Sequence, residues 1–398
     1  MIDNLPNGWK VEKLGNLVKR MHQGINTAAD KVEFSNSGYP ILQTKNISKG
    51  IIDFNDTKYM NNEYWEKYKE KYKPKTNDIL LANIGTIGKN VIVKEESDYL
   101  IHWNIFLIEP NQTLITTNYL KSFFDKLYNQ NYYDLFLKGG TVKFISKSFL
   151  IDLEIPIPPL QQQEKIVKVL DLTSNLIEKQ KELLEKYDLF LKSKFIEMFG
   201  DPISNPMGWE VVKLDSLGKW QSGGTPSRAK PDFFKGNIDW YSAGELNQLY
   251  TIGSIEKITE EAIQKSSAKI FKENTLLIGM YDTAAFKMSI LKKSSASNQA
   301  IANLDNDLKI TNVLWLYFVF LAYKELYLNS RAGVRQQNLS LSKIKNFETI
   351  LPPIELQNKF ASIVEKIETI KEKENQKLKQ MNDLHNSMMN KAFKGEIK

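Results

Sequence analysis

Ile155-Pro156-Ile157-Pro158-Pro159-Leu160 runs into Gln163, Lys165 and Ile166, and Leu351-Pro352-Pro353-Ile354 runs into Gln357, Lys359 and Phe360, an offset of 194 positions (157 to 351). A proline pair fixes an extended approach and then suits a helix's first turn, where the missing N–H costs nothing. Each stretch therefore reads as the junction between a globular part and a helix. Outward from the junctions a second echo appears. Gly8-Trp9-Lys10-Val11 recurs as Gly208-Trp209-Glu210-Val211, each followed by a Lys-Leu pair, Lys13-Leu14 and Lys213-Leu214. A period near half the chain is far longer than the roughly 20–50 residues of a solenoid unit. It means two copies of a whole domain, each with an appended element, and hence two similar sites whose partner has two half-sites.

Beyond the first junction, apolar residues recur at steps of four and three: Ile166, Leu170, Ile177, Leu184, Tyr187, Leu191 and Met198, with Thr173, Gln180 and Lys194 interrupting. No glycine or proline breaks the stretch from Gln161 to Phe199, so it reads as one helix with heptad-like spacing. At ~1.5 Å per residue that helix is about 55 Å long. The second copy, from Leu356 to about Ala392, places Phe360, Val364, Ile367, Leu378, Met381 and Met388 at matching positions around a polar middle, Lys371 to Lys377. Neither stripe can be buried against a small domain along its whole length. The two helices are therefore expected to pack on each other as an antiparallel pair, with the globular domains at opposite ends.

The globular parts are mixed α/β. Tyr39–Gln43, Asp78–Ala82, Val91–Val93 and Ile105–Ile108 read as strands between turn-forming clusters, and Asn118 to Leu137 has helical spacing. In the second half Ile238–Tyr241, Thr275–Ile278 and Met288–Leu291 read as strands, followed by a helix from about Asn312 to Asn329.

Composition bounds the function. A chain of 398 residues can form two or more ordinary cores, and 42% hydrophobic with 25% charged residues is a globular balance. Cysteine is absent, which removes disulfides, zinc thiolates and thiol nucleophiles together. Met1 to Pro6 has neither the basic nor the apolar region of a signal peptide. The most apolar run, Val313 to Ala322, is about half a membrane span. A cytoplasmic location is expected. The net charge of +7 modestly favours acidic partners. Three of the four arginines, Arg228, Arg331 and Arg335, lie in the second half, with only Arg20 in the first.

Catalytic constellations are scarce. Gly85-Thr86-Ile87-Gly88-Lys89-Asn90 lacks the spacing and the terminal Ser/Thr of a phosphate-binding loop, and no dinucleotide-binding glycine fingerprint is present. His22, His102 and His385 are scattered without ligand spacing, so no metal site is expected. Pro231-Asp232 lacks the Glu-x-Lys of a nuclease. Both Pro-Pro pairs follow aliphatic residues, Ile157 and Leu351, so neither can hold a target amine in the manner of an amino-methyltransferase.

Loops suited to nucleic acid recur at corresponding places. Rich in Gly, Ser, Thr, Asn, Gln and Lys, they comprise His22–Thr27, Thr44–Asn46, Gly85–Lys89 and Gly139–Lys143, then Gln221–Arg228, Ser242–Glu245, Ser297–Gln299 and Arg331–Asn338. Glycine lets backbone approach phosphate, hydroxyls and amides position the duplex, Asn and Gln suit adenine, and Arg or Lys suit guanine. The candidate DNA-binding residues are Gln23, Asn26, Lys45, Asn46, Thr86, Lys89, Thr141, Lys143, Ser222, Thr225, Ser227, Arg228, Arg331, Arg335, Gln336 and Gln337. The arginine asymmetry suggests that the second domain depends more on guanine, and that the target is asymmetric.

The Gly-Trp…Lys-Leu heads, the Ser222-Gly223-Gly224-Thr225-Pro226-Ser227 loop and the aliphatic-Pro-x-Pro-Pro-Leu-x-x-Gln junction together resemble the specificity subunits of type I restriction–modification systems, over essentially the whole chain. The second junction lacks the motif's first proline. The resemblance implies two tandem α/β target recognition domains, 1–155 and 201–349, joined by helical regions 156–200 and 350–398 that form an antiparallel coiled coil. It implies no catalytic residue and no cofactor in this chain. Its expected partners are double-stranded DNA read as two half-sites, two methyltransferase subunits carrying S-adenosylmethionine, and two restriction subunits using ATP and Mg. Two other readings stand beside it, a self-contained methyltransferase or restriction-enzyme fragment and a double-headed scaffold that binds no nucleic acid.

Overall fold

The computed structural model describes residues 5–138, 140, 142–329 and 339–397. By contacts the chain divides into two units, Met1–Lys181 with Gln376–Lys398, and Glu182–Asn375. The boundary falls inside the two long helices, so each unit owns one half of each.

The first unit contains β1 (Lys10–Lys13), α1 (Leu14–Leu17), β2 (Val18–Gln23), β3 (Tyr39–Leu42), β4 (Lys58–Met60), α2 (Asn62–Tyr72), β5 (Ile79–Ala82), β6 (Asn90–Ile92), β7 (Leu100–Ile101), β8 (Ile105–Pro110), α3 (Thr117–Asn129), α4 (Lys147–Ile151), β9 (Glu154–Ile157) and the start of α5 (Leu160–Phe199). Its strands pair in the orders β2-β8-β5-β6, β4-β3-β7 and β1-β9. The continuous apolar runs of β5 and β8 hide a strand period. Ile79, Leu81, Phe106 and Ile108 face a core shared with α3, while Leu80, Ala82, Ile105 and Leu107 face a second core with Leu42 and Ile101. Both faces of this sheet are covered, which is why no polar alternation marks it. Helix α3 ends eight residues before the expected Leu137, because Asn131 turns left-handed (φ 53°) and a short 3-10 turn, Tyr132–Phe136, follows.

The second unit repeats the plan with β10 (Glu210–Lys213), β11 (Gly218–Ser222), β12 (Ile238–Tyr241), β13 (Glu256–Ile258), α6 (Glu260–Gln264), β14 (Ile270–Phe271), β15 (Leu276–Gly279), β16 (Met288–Ile290), β17 (Ser295–Ser297), β18 (Ile301–Asn306), α7 (Val313–Asn329), α8 (Leu341–Lys345), β19 (Glu348–Leu351) and the start of α9 (Ile354–Ala392). Its strand orders are β11-β18-β15-β16, β13-β12-β17-β14 and β10-β19. The apolar run 313–322 is the buried start of α7, and among the described residues no helix is long and apolar enough to cross a membrane.

The repeated motifs acquire physical reasons. Gly8 and Gly208 both sit at positive φ, 86° and 67°, where a side chain would strain the backbone. Gln163 and Gln357, each fully buried, lock the junctions. The Gln163 carbonyl accepts from Thr116 N at 2.8 Å, and its amide donates to the carbonyls of Leu114 and Pro158, both at 3.0 Å. The Gln357 carbonyl accepts from Asn312 N at 2.9 Å and Thr311 Oγ1 at 3.1 Å, and its amide donates to the Pro352 carbonyl at 2.7 Å and the Ile310 carbonyl at 3.2 Å.

Within each unit the two helices run antiparallel. In the first, the Gln162 amide reaches the Ile397 carbonyl at 3.0 Å, and Thr173 Oγ1 lies 2.6 Å from His385 Nδ1. In the second, Lys371 bonds Asp188 at 2.7 Å and Phe360 packs edge-on against Phe195. The stripe residues differ in what they bury against. Ile166 and Leu170 join the first unit's domain core with Met389, Ala392 and Phe393, and Leu191, Phe360 and Val364 join the second unit's core, with Ile367 packed at its edge. Ile177 is buried, whereas Leu184, Leu378 and Met381 are half-buried. At the helix ends, domain and helix share one core, while the middle of each stripe lies outside the domain cores.

One buried carboxyl has a pH signature. Asp78 accepts from Lys75 N at 2.8 Å and from Arg20 Nη2 at 3.2 Å, with Glu109 on the other side of Arg20, 3.2 Å from Nε. Burial outweighs both donors and pushes the Asp78 pKa up to about 6. A raised carboxyl favours the fold fully below the unfolded value near 4 and less as pH rises through the folded one. The first unit is expected to lose stability between about pH 4 and 6, and Asp78→Asn to flatten that slope in denaturant titrations.

Candidate nucleic-acid interface

Strand direction gathers the first unit's candidate loops. Strands β2, β3, β5 and β7 end, and β8 begins, at the same edge of the two sheets. The loops after residues 23, 42, 82 and 101 therefore meet there. Backbone bonds tie them together: Gly24 N donates to the Ile105 carbonyl at 3.1 Å, Ile25 N to Ile101 at 2.9 Å, His102 N to Leu42 at 2.9 Å and Asn83 N to Asn104 at 3.1 Å. A Cβ on Gly24 would collide with the Ile101 and His102 carbonyls, so only glycine permits this closure. The segment around Lys143 joins the same edge, because Phe144 bridges both Ile84 and Lys138.

The second unit builds the same edge with the same bonds. Gly223 N donates to Ile301 at 3.1 Å, Gly224 N to Ser297 at 2.9 Å, Asn298 N to Tyr241 at 2.9 Å and Met280 N to Ala300 at 2.9 Å. Gln43 and Ser242 cap equivalent 3-10 turns, Thr44–Asn46 and Ala243–Glu245, with reciprocal side-chain bonds.

The candidates fare differently on these edges. Asn26, Thr86 and Lys143 are exposed, and Gln23 is half-buried at the end of β2. Asn26 Oδ1 accepts from Ala29 N at 3.2 Å. Lys45 is exposed and ion-paired to Asp56, a pairing weak enough to exchange for a phosphate. Lys89 lies over the Tyr128 ring at 4.3 Å. In the second unit Ser222 is half-buried on β11, Ser227 is exposed, and Thr225 donates to the Gln299 side chain.

Two assignments change. Asn46 is buried, its carbonyl accepting from Gln43 N at 2.9 Å and its amide donating to the Asp53 and Asn55 carbonyls at 2.9 and 3.2 Å. It shapes its loop and has no amide group left to read a base. Arg228 spends its fork on Glu256, one arm at 2.7 Å, and its guanidinium stacks 4.3 Å from the Phe234 ring centroid and 5.3 Å from that of Trp240. Its hydrogen bonds to Glu256 hold its pKa above the ordinary arginine value. While it is paired with Glu256, the fork is not open to a guanine edge. Thr141, Arg331, Arg335, Gln336 and Gln337 lie outside the described residues.

The structure also brings His102, Trp103 and Asn104 to the first edge, a segment without the glycine or turn cluster that drew attention elsewhere. Only its place before β8, matching Asn298–Ala300 before β18, could have revealed it. Burial lowers the pKa of His102, as it does that of His22.

The family model described as the type I restriction modification DNA specificity domain matches the chain twice, over residues 6–186 and 206–380. The putative type I restriction enzyme MjaX specificity subunit of Methanocaldococcus jannaschii is 24% identical, spanning 100% of this chain and 95% of that protein. A chain from a structure explaining assembly and conformational transition of a type I restriction–modification system aligns over 99% of this chain and 100% of its own, with a TM-score of 0.62 at 16% identity. The type I restriction–modification S subunit from M. genitalium aligns over 98% and 97%, with a TM-score of 0.53 at 13% identity. Two copies of one domain, matched end to end at the level of sequence and of fold, leave one assignment: the chain belongs to the type I restriction–modification DNA specificity family.

Proposed function

We propose that the chain is the DNA sequence-specificity subunit of a type I restriction–modification complex, reading a split, asymmetric target with one half-site per domain. Domains 1–155 and 201–349 do the reading, and helical regions 156–200 and 350–398 set the gap and carry the partners. The observation that supports this best is the loop edge built twice from the same backbone bonds but furnished with different side chains. Identical frames give two equivalent sites, and different side chains give two sequences. Gln23, Asn26, Lys45, Thr86, Lys89 and Lys143 serve the first half-site, and Ser222, Thr225 and Ser227 with Arg331, Arg335, Gln336 and Gln337 the second.

Partner docking on the helices draws support from apolar residues that α5 leaves in water: Leu172 and Leu176 in the first unit, Leu189, Phe190 and Ile196 in the second. Exposed apolar clusters of this kind mark interaction surfaces. They fit two methyltransferase subunits that bring S-adenosylmethionine and flip the target adenine. Restriction subunits with ATP and Mg complete the larger assembly.

Affinity of the full chain for duplex DNA, titrated against salt, tests the reading. Each neutralised phosphate contributes a slope of about −0.9 in log K against log salt. Several phosphate contacts therefore predict a slope of roughly −3 or steeper, whereas a slope near zero would eliminate DNA recognition. Tight stoichiometric uptake of S-adenosylmethionine in equilibrium dialysis would instead favour a self-contained enzyme.

A further inference from the structure

The 3-10 turn after α3 carries apolar side chains into water beside the first unit's loop edge. Leu135 is 74% exposed and Phe136 40% exposed. A single exposed leucine is ordinary on a protein surface; this one stands on a turn built into the edge itself. Tyr133 anchors the turn, buried so closely against Gly88 of the Gly85–Lys89 loop that a Cβ there would strike its ring. Phe136 stacks on Phe149 of α4, with ring centroids 4.6 Å apart, and lies 5.2 Å from Tyr132. Two residues on, Lys138 pairs with Phe144, which also bridges Ile84. The turn is thus tied to two of the segments that meet at the edge.

The second copy shows that the fold does not require apolar side chains here. Gly88 N donates to the Ala82 carbonyl at 2.8 Å and Phe286 N to the Gly279 carbonyl at 2.9 Å, so Phe286 stands where Gly88 does. Tyr327 packs against Phe286, ring centroids 5.2 Å apart, as Tyr133 packs against Gly88. Downstream, Ile145 N donates to the Asn83 carbonyl at 3.2 Å and Leu339 N to the Met280 carbonyl at 2.8 Å. Both pairs of anchors are 194 positions apart (133 to 327, 145 to 339), so the chain between them is equally long. Counted from either anchor, Asn329 and Ser330 correspond to Leu135 and Phe136. One copy therefore has water-facing leucine and phenylalanine where the other has asparagine and serine.

The charge around the turn indicates what covers it. Between Asp125 and Asp152 the chain has one acid, Asp134, against four lysines, Lys126, Lys138, Lys143 and Lys147. Lys138 and Lys143 are exposed and make no ion pair among the described residues. Free lysines beside an apolar tip suit a duplex. Its phosphates take the ammonium groups, and its major groove offers one apolar group of its own, the thymine 5-methyl.

We propose that Leu135, backed by Phe136, packs on a thymine methyl in the major groove and so selects an A·T pair in the first half-site. The proposal rests on the DNA-recognition reading above and deepens it, adding an apolar specificity-determining residue to the polar candidates. The second domain, with Asn329 at the same count, makes no such contact, so the two half-sites differ here.

In vitro selection from a random duplex pool, with the full chain purified from its host together with its accompanying subunits, first defines the split motif. Each thymine of that motif is then replaced by deoxyuridine, which removes the methyl and nothing else. The wild type is expected to bind at least one substituted duplex roughly three- to fivefold more weakly, the worth of one buried methyl. Leu135→Ser should bind the thymine and uracil duplexes alike at that position while the other half keeps its preferences, and Leu135→Val should retain part of the difference. Leu308→Ser serves as the control. Leu308 is 72% exposed but follows β18, at the opposite end of the strands from the edge, so it should leave the ratio unchanged. A wild type that tolerates uracil at every thymine overturns the proposal without any variant. So does a Leu135→Ser chain that keeps the wild-type ratio; loss of an accompanying subunit from that chain would show that the turn docks protein instead. A wild-type chain that enriches no motif would overturn the recognition reading itself.

Discussion

Removing residues 376–397 is expected to unfold the first unit while the second keeps its core. The C-terminal turns of α9 close the first domain: Met389, Ala392 and Phe393 are buried there with Tyr119, Phe123 and Ile166. Phe393 sits 5.2 Å from both the Tyr119 and Phe123 ring centroids, and the Lys126 ammonium lies 5.4 Å from its own. The Phe393→Ala substitution alone is expected to cost about 3–5 kcal/mol, as truncation of a buried aromatic leaves a cavity. Phe199 does the same work at the end of α5 in the second unit, 6.1 Å from Trp315 and 5.6 Å from Phe360. Calorimetry should show Phe393→Ala lowering one transition and Phe199→Ala the other. A single transition lowered equally by both would contradict two separately closed cores.

Gln357→Ala is the second large loss. It would leave two donors, Asn312 N and Thr311 Oγ1, and two carbonyls, Pro352 and Ile310, without their buried partner. At about 1–3 kcal/mol for a buried group left unpaired, less whatever water recovers, roughly 3–4 kcal/mol is expected. Gln163→Ala should behave alike in the first unit. Gln161→Ala, two residues earlier on the exposed side of α5, should stay within about 0.5 kcal/mol. Urea denaturation distinguishes a position-specific lock from a general preference for glutamine at helix starts. Equal effects at residues 161 and 163 would rule out the lock.

Much of the frame was legible in the chain. The strands read from Tyr39, Ile79 and Ile105 lie where their apolar runs put them, and both long helices start within two residues of the expected places. These are local signals, set by period and by proline. The site was legible only in part. Glycine-rich loops were visible, but Asn46 and Arg228 looked like base readers because residue type alone does not show what a side chain already holds. His102, Trp103 and Asn104 were missed as edge residues because a strand-end segment without glycine or turn-forming residues has no compositional mark.

What the sequence determined by itself was the duplication, the two Pro-Pro junctions and the long apolar-striped helices, since each follows from spacing along a few turns of chain. Only the tertiary structure decided which helix end closes which domain, which loops share an edge, and which of their polar groups remain unpaired. Those outcomes depend on partners as distant as Tyr119 and Phe393, or Thr44 and Asn104, and burial and hydrogen bonding are properties of such pairs and not of either residue alone.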